Sequence, residues 1–316
     1  MKLLAVDGNN LLMRALHATK RASLTAHGVP TGPLLAFVNS LAKHIREEEP
    51  THVGVAWDGA GRGIRREIDD DYKATRRAAP DAEHELKESS FALAREFCEL
   101  AGIFQVGYGE GGVEADDIIA DWWRDWIVEY ARGSFVILSS DKDLLQLVDR
   151  ATVEQIRLSS ASAPTDRWDA ARVREHYGVP VRLLPAILAI AGDSSDNIVG
   201  VHGIGPKKAA KALTECGFNF ERCIAERWPD EQEQLAANYQ LTNLRDSWPH
   251  VQKRPEQPPQ AMLTGRGDPR FDARWPRLIA FLDQYDLVSV KTNLVARKLW
   301  SQDSSRSPVG RPLRLQ

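Results

Sequence analysis

Apolar residues gather in short runs that end at an acid. Leu3–Val6 runs into Asp7-Gly8-Asn9, His52–Trp57 into Asp58-Gly59, and Phe135–Leu138 into Ser139-Ser140-Asp141. Short, nearly unbroken apolar stretches separated by helical periodicity predict strands of a parallel sheet buried on both faces. Weaker strands are expected at Ile103–Val106 and Thr152–Leu158. The ligand crevice of an open α/β sheet lies beyond the carboxyl ends of its strands, so Asp7, Asp58 and Asp141 are expected to meet there.

Val113-Glu114-Ala115-Asp116-Asp117-Ile118-Ile119-Ala120 opens a helix, with acids in the first turn where the dipole favours them. Capping accounts for any one of these acids. Glu114 and Asp117 share a face at i and i+3, however, and three carboxylates exceed what capping requires. Trp122, Trp123 and Trp126 continue the same helix and read as packing residues.

Farther along, Val181–Ala191 predicts a helix, Gly192–Gly205 a glycine-punctuated turn, and Pro206–Thr214 a second helix with proline at its first position. The Gly203-Ile204-Gly205 turn would offer backbone N–H groups and a helix N-terminus to a phosphate. Lys207, Lys208 and Lys211 would add sequence-independent attraction. Between Gly59 and Glu88 the periodicity breaks: Arg62, Arg65, Arg66, Lys73, Arg76 and Arg77 mix with Asp69, Asp70, Asp71 and Glu83. That stretch fits a solvated loop and fits equally a partly helical insertion holding cations over the crevice.

Nine carboxylates thus fall in four clusters: Asp7; Asp58; Glu114, Asp116 and Asp117 with Asp141 and Asp143; then Asp193 and Asp196 ahead of the hairpin turn. Like charges brought together raise one another's pKa, so such a set makes sense when divalent cations hold it. Beside a DNA-backbone-binding hairpin, it points to a metal-dependent nuclease acting on DNA.

Composition narrows the setting. A chain of 316 residues, 43% hydrophobic and 27% charged, can form one large α/β domain with a helical part, or two modest domains. No apolar run approaches the roughly eighteen residues of a membrane span. The chain enters its first apolar run without a leader, so the expected location is cytoplasmic. The net charge of −3 becomes positive once the nine clustered acids are set aside, as a phosphate-tracking surface needs. Cys98, Cys216 and Cys223 have no metal-ligand spacing and read as reduced, mostly buried thiols. His17, His52 and His202 lack partners for a zinc or general-base role, and Ser139 and Ser140 have no matched histidine.

Taken together, Val6-Asp7-Gly8-Asn9, Asp58, Arg65, Tyr72-Lys73-Ala74-Thr75-Arg76, Gly112–Asp117, Ser140–Asp143, Gly192–Asn197 and Gly200–Lys208 closely resemble the 5′ nucleases. This family comprises the 5′-nuclease domain of bacterial DNA polymerase I, phage flap endonucleases and eukaryotic relatives. Weaker likeness continues through Asn238–Leu241 and Phe281–Leu287. The resemblance implies a doubly wound, mostly parallel PIN-like sheet with a helical arch at about residues 59–90, and a C-terminal helix-three-turn-helix region. The expected division is a nuclease core over 1–170, a DNA-binding and helical region over 171–300, and a disordered tail over 301–316.

By the same resemblance, Asp7, Asp58, Glu114, Asp116 and Asp117 would hold a first Mg²⁺ or Mn²⁺, with Asp7, Asp116 and Asp117 central to catalysis. Asp141, Asp143, Asp193 and Asp196 would build a second metal region. Lys73 and Arg76 would contact the scissile phosphate, Tyr72 would stack on a base, and Arg14 and Arg65 would contact phosphate or else form surface salt bridges. Gly203, Gly205, Lys207 and Lys208 would bind duplex DNA, and carbonyls of Val201 and Ile204 would bind K⁺. The expected substrates are DNA flaps, nicks and free 5′ ends, cut by a monomeric, standalone bacterial or phage enzyme with no sliding-clamp peptide. A catalytically weakened junction-binding module would show substituted acids, whereas all nine are Asp or Glu. A ribonuclease of the related small α/β class would lack the arch and the hairpin.

Overall fold

The central strand β1 (Lys2–Asp7) alternates its side chains between two cores, Leu3 and Ala5 entering one and Leu4 and Val6 the other. This double burial is why its sequence reads as an unbroken apolar run. The computed structural model describes residues 1–20, 24–61, 63, 65–74, 81–107, 112–158, 165–246 and 269–297. The expected tail over 301–316 and Arg76 lie outside the described residues.

After β1 come α1 (Gly8–Thr19), a small hairpin of β2 (Thr25–Ala26) and β3 (Val29–Pro30), and α2 (Gly32–Glu48). Next are β4 (His52–Ala56), α3 (Arg65–Ile68), α4 (Asp81–Leu100), β5 (Phe104–Val106) and α5 (Ala115–Glu129). Then follow β6 (Ser134–Leu138), a 3₁₀ turn at Asp143–Leu147, β7 (Val153–Arg157) and β8 (Asp166–Trp168). The remainder is helical: α6 (Ala170–Tyr177), α7 (Leu184–Ala191), α8 (Pro206–Glu215), α9 (Phe220–Arg227), α10 (Gln232–Thr242), α11 (Pro269–Gln284) and α12 (Val288–Arg297).

Six strands pair in the order β5-β4-β1-β6-β7-β8, all parallel except β8, which runs antiparallel to β7 at the edge. The five expected strands are present. The three-residue β8 and the two-residue strands of the small hairpin are too short to announce themselves by alternation. Because the chain builds outward from β1 first through β4 and β5 and later through β6, the order reverses at β1, and the crevice opens beyond its carboxyl end.

One sheet face is covered by α5, α6, α7, α8 and α9, whose buried Ile118, Trp122, Trp126, Val173, Ile187, Leu213 and Ile224 form one cluster with Leu3 and Phe135. Trp122, Trp123 and Trp126 are buried there as packing residues. The opposite face carries α1, α2 and α4, and Leu278, Phe281 and Leu282 of α11 join that second cluster. The helices after residue 170 therefore share cores with both faces of the sheet. Among the described residues, no helix is long and apolar enough to cross a membrane. The three cysteines are buried free thiols, and burial pushes the Cys98 thiol up.

The turn between α7 and α8 is tied down by backbone contacts. Val201 N donates to Ile190 O at 2.8 Å, and Asn238 Nδ2 of α10 donates to Val199 O at 2.8 Å and Ala189 O at 3.0 Å. Gly200 is wedged against the end of α7, where a Cβ would lie 2.3 Å from Gly192 N and from Ala191 C. Gly200→Ala must displace backbone atoms. The expected loss is about 1–3 kcal/mol, the range for overpacking, read as a lower urea midpoint with an unchanged m-value.

Candidate metal centre

Strand register sets the site. Asp7 is level with Ala56 of β4, and Val6 with Leu138 of β6, so the ends of three strands bring Asp7, Asp58 and Ser139 side by side. Asp7 caps α1 by accepting from Asn10 N at 2.9 Å, and its other oxygen accepts from the buried Ser139 hydroxyl at 2.8 Å. Asp58 accepts from Asn9 Nδ2 at 2.6 Å and from Ala115 N at 2.9 Å, the first residue of α5. Two helix N-termini thus direct backbone N–H groups at two of the acids.

A second group forms where the 3₁₀ turn meets the hairpin. One carboxylate oxygen from each of Asp143, Asp193 and Asp196 lies within 4.8 Å of the others. Asp141 accepts from Asp143 N at 3.0 Å, and the buried Gln155 fastens this loop by donating to Ser139 O at 2.9 Å and Asp141 O at 2.6 Å. Asp193 accepts from Ser195 N at 3.0 Å and Ser195 Oγ at 2.6 Å, and pairs with Lys142 at 2.9 Å. Although burial alone would raise Asp193, these bonds hold its carboxyl below the usual range.

Asp116 and Asp143 have less relief. Burial, then the charges of Asp141, Asp7 and Glu114, pushes Asp116 well above the carboxylate range. Asp143 is raised likewise by burial and by Asp141, Asp193 and Asp196. Burial carries Asp7 to about 7, against the lowering bonds from Asn10 and Ser139. Asp143 Oδ1 is moreover buried without a hydrogen-bond partner. An all-oxygen, crowded, under-neutralised donor set fits hard divalent cations.

The basic residues are placed differently from expectation. Arg65 is 6% exposed, its guanidinium forked onto both oxygens of Asp117 at 2.8 Å each and also reaching Glu114 at 3.1 Å. A phosphate cannot reach it in this arrangement, and both Asp117 oxygens face the guanidinium. Tyr72 is 4% exposed and packs with Ile198 and Leu241, its hydroxyl donating to Glu114 at 3.2 Å and Asp196 at 3.4 Å. It presents no ring face for base stacking, because closing the gap between α3 and the hairpin buries it. Lys73 does enter the acidic centre, its Nζ 2.6 Å from Glu114. With burial opposed by Arg65, Lys73 and Tyr72, the Glu114 carboxyl is held below its ordinary value.

Lys207 is exposed at the start of α8, whereas Lys208, also exposed, folds back to donate to Gly203 O at 2.8 Å and braces the turn. Gly203 takes the left-handed conformation, with φ of 72°. Val201 O accepts from Ile204 N at 3.1 Å. Arg14 lies half-buried on α1, and His17 and His202 are exposed. His52 is buried edge-on against Trp126. Sequence reading missed Ser139, Gln155, Ser195 and Asn10 as supports of the acids. Their one signal was position, each lying beside or across a strand from an acid.

A model of the 5′-3′ exonuclease N-terminal resolvase-like domain matches residues 2–178. The chain is 35% identical over 221 residues to a 5′-3′ exonuclease of Bacillus subtilis, covering 68% of this chain and 70% of that one. It is also 35% identical over 216 residues to DNA polymerase I of Caldicellulosiruptor bescii, covering 68% of this chain but 24% of the polymerase. It therefore spans about a quarter of that longer relative. In fold it is similar to the flap endonuclease of bacteriophage T5, solved as a product complex with DNA and metal ions, at a TM-score of 0.64 and 23% identity, covering 78% of this chain and 90% of that one. With a mostly parallel sheet, acids converging beyond its carboxyl edge, and these matches over more than half its length, the chain belongs to the 5′-3′ exonuclease family.

Proposed function

We propose that this protein is a structure-dependent 5′ nuclease that hydrolyses DNA phosphodiester bonds, trimming 5′ ends and removing flaps, with Mg²⁺ or Mn²⁺ as cofactor. The observation that carries this reading is the position of Lys73. Its ammonium lies 2.6 Å from Glu114 among the sheet-side acids, while its backbone N–H donates to Asp196 O of the hairpin at 2.9 Å. One cation thus sits where both acid groups and the DNA-binding hairpin meet.

In this reading Asp7, Asp58, Glu114 and Asp116 would hold one divalent cation, with Asp117 supporting Glu114 through Arg65. Asp141, Asp143, Asp193 and Asp196 would hold a second. When bound, such cations supply an activated water and neutralise charge on the phosphate and the leaving oxygen. Lys73 adds a preorganised positive charge where negative charge develops. The turn at Gly203–Gly205, the N-terminus of α8 and Lys207 receive the duplex backbone without reading bases. Carbonyls of Val201 and Ile204 would take K⁺ at that turn. Arg76 and Arg14 remain candidates for phosphate contact. The substrates are DNA with 5′ flaps, nicks or free 5′ ends, met by a monomer during replication or repair in a bacterial or phage-infected cytoplasm.

The deciding assay presents purified protein and Mg²⁺ with end-labelled flap, nicked, gapped and single-stranded DNA, and with RNA. Cleavage of flapped and nicked DNA from the 5′ side is expected. Binding without cleavage would leave a junction-binding module, and preferential cutting of RNA would make the chain a ribonuclease.

Asp116→Asn is expected to abolish single-turnover cleavage while DNA binding stays measurable. Lys73→Ala is expected to slow cleavage at saturating DNA by about 10²–10³-fold, the scale for losing one preorganised donor, with a much smaller change in affinity. A variant that binds weakly but cleaves normally once saturated would make Lys73 a docking residue.

Replacing Lys207 and Lys208 together by Ala should weaken binding to every duplex-containing substrate. The log–log salt slope should fall by about two at most, and by nearer one if Lys208 stays on its turn carbonyl. Loss of single-stranded binding with duplex binding intact would mean that the hairpin holds the single strand and not the duplex.

Metal removal has a pH signature. The folded pKa of Asp7 is raised above the ordinary 3.8 to about 7. In metal-free protein its contribution to stability is therefore fully present below the unfolded pKa and is lost as pH rises through about 7. Cations need the deprotonated carboxylate. Mg²⁺ at about 100 times its Kd should add about 2.7 kcal/mol, or several degrees in Tm. At one fixed Mg²⁺ concentration the gain should be larger at about pH 8 than at about pH 5.5, where binding is weaker, and melting curves with and without EDTA measure it. Equal gains at both pH values would detach Asp7 from the cation.

A further inference from the structure

Among the described residues, Arg65 is the one buried arginine or lysine. Its N–H groups reach two other helices. Nη1 and Nη2 fork onto Asp117 in the first turn of α5, Nη1 also reaches Glu114 Oε2 just before that helix, and Nε donates to Leu241 O at the last turn of α10 at 2.9 Å. The Leu241 carbonyl is one that a helix end leaves without an internal partner, and the end of a helix favours a cation. The guanidinium thereby joins the start of the metal-centre helix to the helix beneath the DNA-binding hairpin.

Glu114 is the exchange point. Its Oε2 accepts from Arg65 and Tyr72, and its Oε1 from Lys73. The Lys73 backbone is left-handed, φ 58°, a conformation costly for a residue with a Cβ and held by its surroundings. One holder is Asp196 O, and beside it Asn197, also left-handed at φ 61°, donates from Nδ2 to Asp71 O at 2.8 Å. The segment from Arg65 to Lys73 is therefore fastened at one end by Arg65 and at the other by the hairpin turn, with Glu114 between.

We infer that Arg65 is a positioning residue: by neutralising Asp117 and fixing Glu114 it sets the Lys73 ammonium at the reacting phosphate, and it is not itself a DNA contact. Asp117 serves the centre as the partner of Arg65. The inference rests on the nuclease reading, and the two fail differently. Wild-type protein that cuts no DNA sinks the reading, whereas wild-type cleavage with unaltered Arg65 variants sinks this inference alone.

Single-turnover rates at saturating flap DNA, DNA affinity in EDTA, and Mg²⁺ titrations followed by Tm are to be compared for wild type, Arg65→Gln, Arg65→Lys and Asp117→Asn. Arg65→Gln should slow cleavage by about 10- to 100-fold, as expected for misplacement of a reacting group without its removal. Affinity in EDTA should stay within about threefold and keep its salt slope, because no phosphate contact is lost. The Mg²⁺ needed for half the Tm gain should rise as Glu114 loosens. Arg65→Lys keeps the charge but not the fork, and should recover part of the rate. Arg65→Gln with Asp117→Asn should be no slower than the slower single variant, since the pair acts as a unit. A saturated rate and Mg²⁺ titration equal to wild type, with only Tm lowered, would make Arg65 a brace and overturn the inference. Weaker binding with a reduced salt slope and a normal saturated rate would restore it to the phosphate contacts. If Arg65→Gln does not fold, Arg65→Lys and Asp117→Asn decide by the same rates, and wild-type values in both overturn it.

Discussion

Repulsion among carboxylates gathered at the ends of parallel strands is the force against which the rest of the molecule is arranged. Two unit charges about 4 Å apart interact by about 4 kcal/mol at an effective dielectric near 20. Oxygens of Asp143, Asp193 and Asp196 lie within 4.8 Å of one another. The chain meets part of this with its own groups: the N-termini of α1 and α5 directed at Asp7 and Asp58, Arg65 against Asp117 and Glu114, Lys73 against Glu114, and Lys142 against Asp193. Asp116 and Asp143 receive least and are pushed furthest toward the protonated form. The deficit is concentrated where the proposed chemistry needs hard cations.

Such a centre needs rigid supports, because small displacements of charged groups carry large energies at short range. The buried cluster that holds β1, β6 and α5 runs without a break into α7, α8 and α9. The hairpin is consequently anchored in the same core as the strands that carry Asp7 and lead to Asp141. Movement of the hairpin against DNA would be felt at the acids through Asp193 and Asp196, and at Lys73 through the Asp196 carbonyl. Coupling of substrate shape to chemistry then has a short physical path, made of the Asp193 and Asp196 carboxylates and the Lys73–Asp196 backbone hydrogen bond.

Left-handed backbone at Lys73 and Asn197 marks where that path is under tension. Both residues lie where the segment after α3 meets the hairpin turn, and neither is glycine. A conformation of this kind persists only where surrounding contacts overdetermine it, which the Asp71, Asp196 and Glu114 bonds do here.

What the sequence by itself determined was everything set by short-range pattern. Apolar runs ending in acids placed three strands and the edge where Asp7, Asp58 and Asp141 stand, weaker runs placed two more strands, and proline at the start of α8 with glycines before it placed the hairpin within a residue or two. Tertiary structure alone decided which charge answers which. Arg65 and Lys73 carry equal charge in one basic segment, yet one is sealed against Asp117 and a carbonyl 176 residues away, and the other enters the acidic centre. Tyr72 became buried because α3 closes on the hairpin, and Ser139 and Gln155 became supports because β6 lies between β1 and β7. Hydrophobic periodicity acts over a few residues and is legible in one dimension. Neutralisation and hydrogen bonding act over a few ångströms, between residues that only the folded chain makes neighbours.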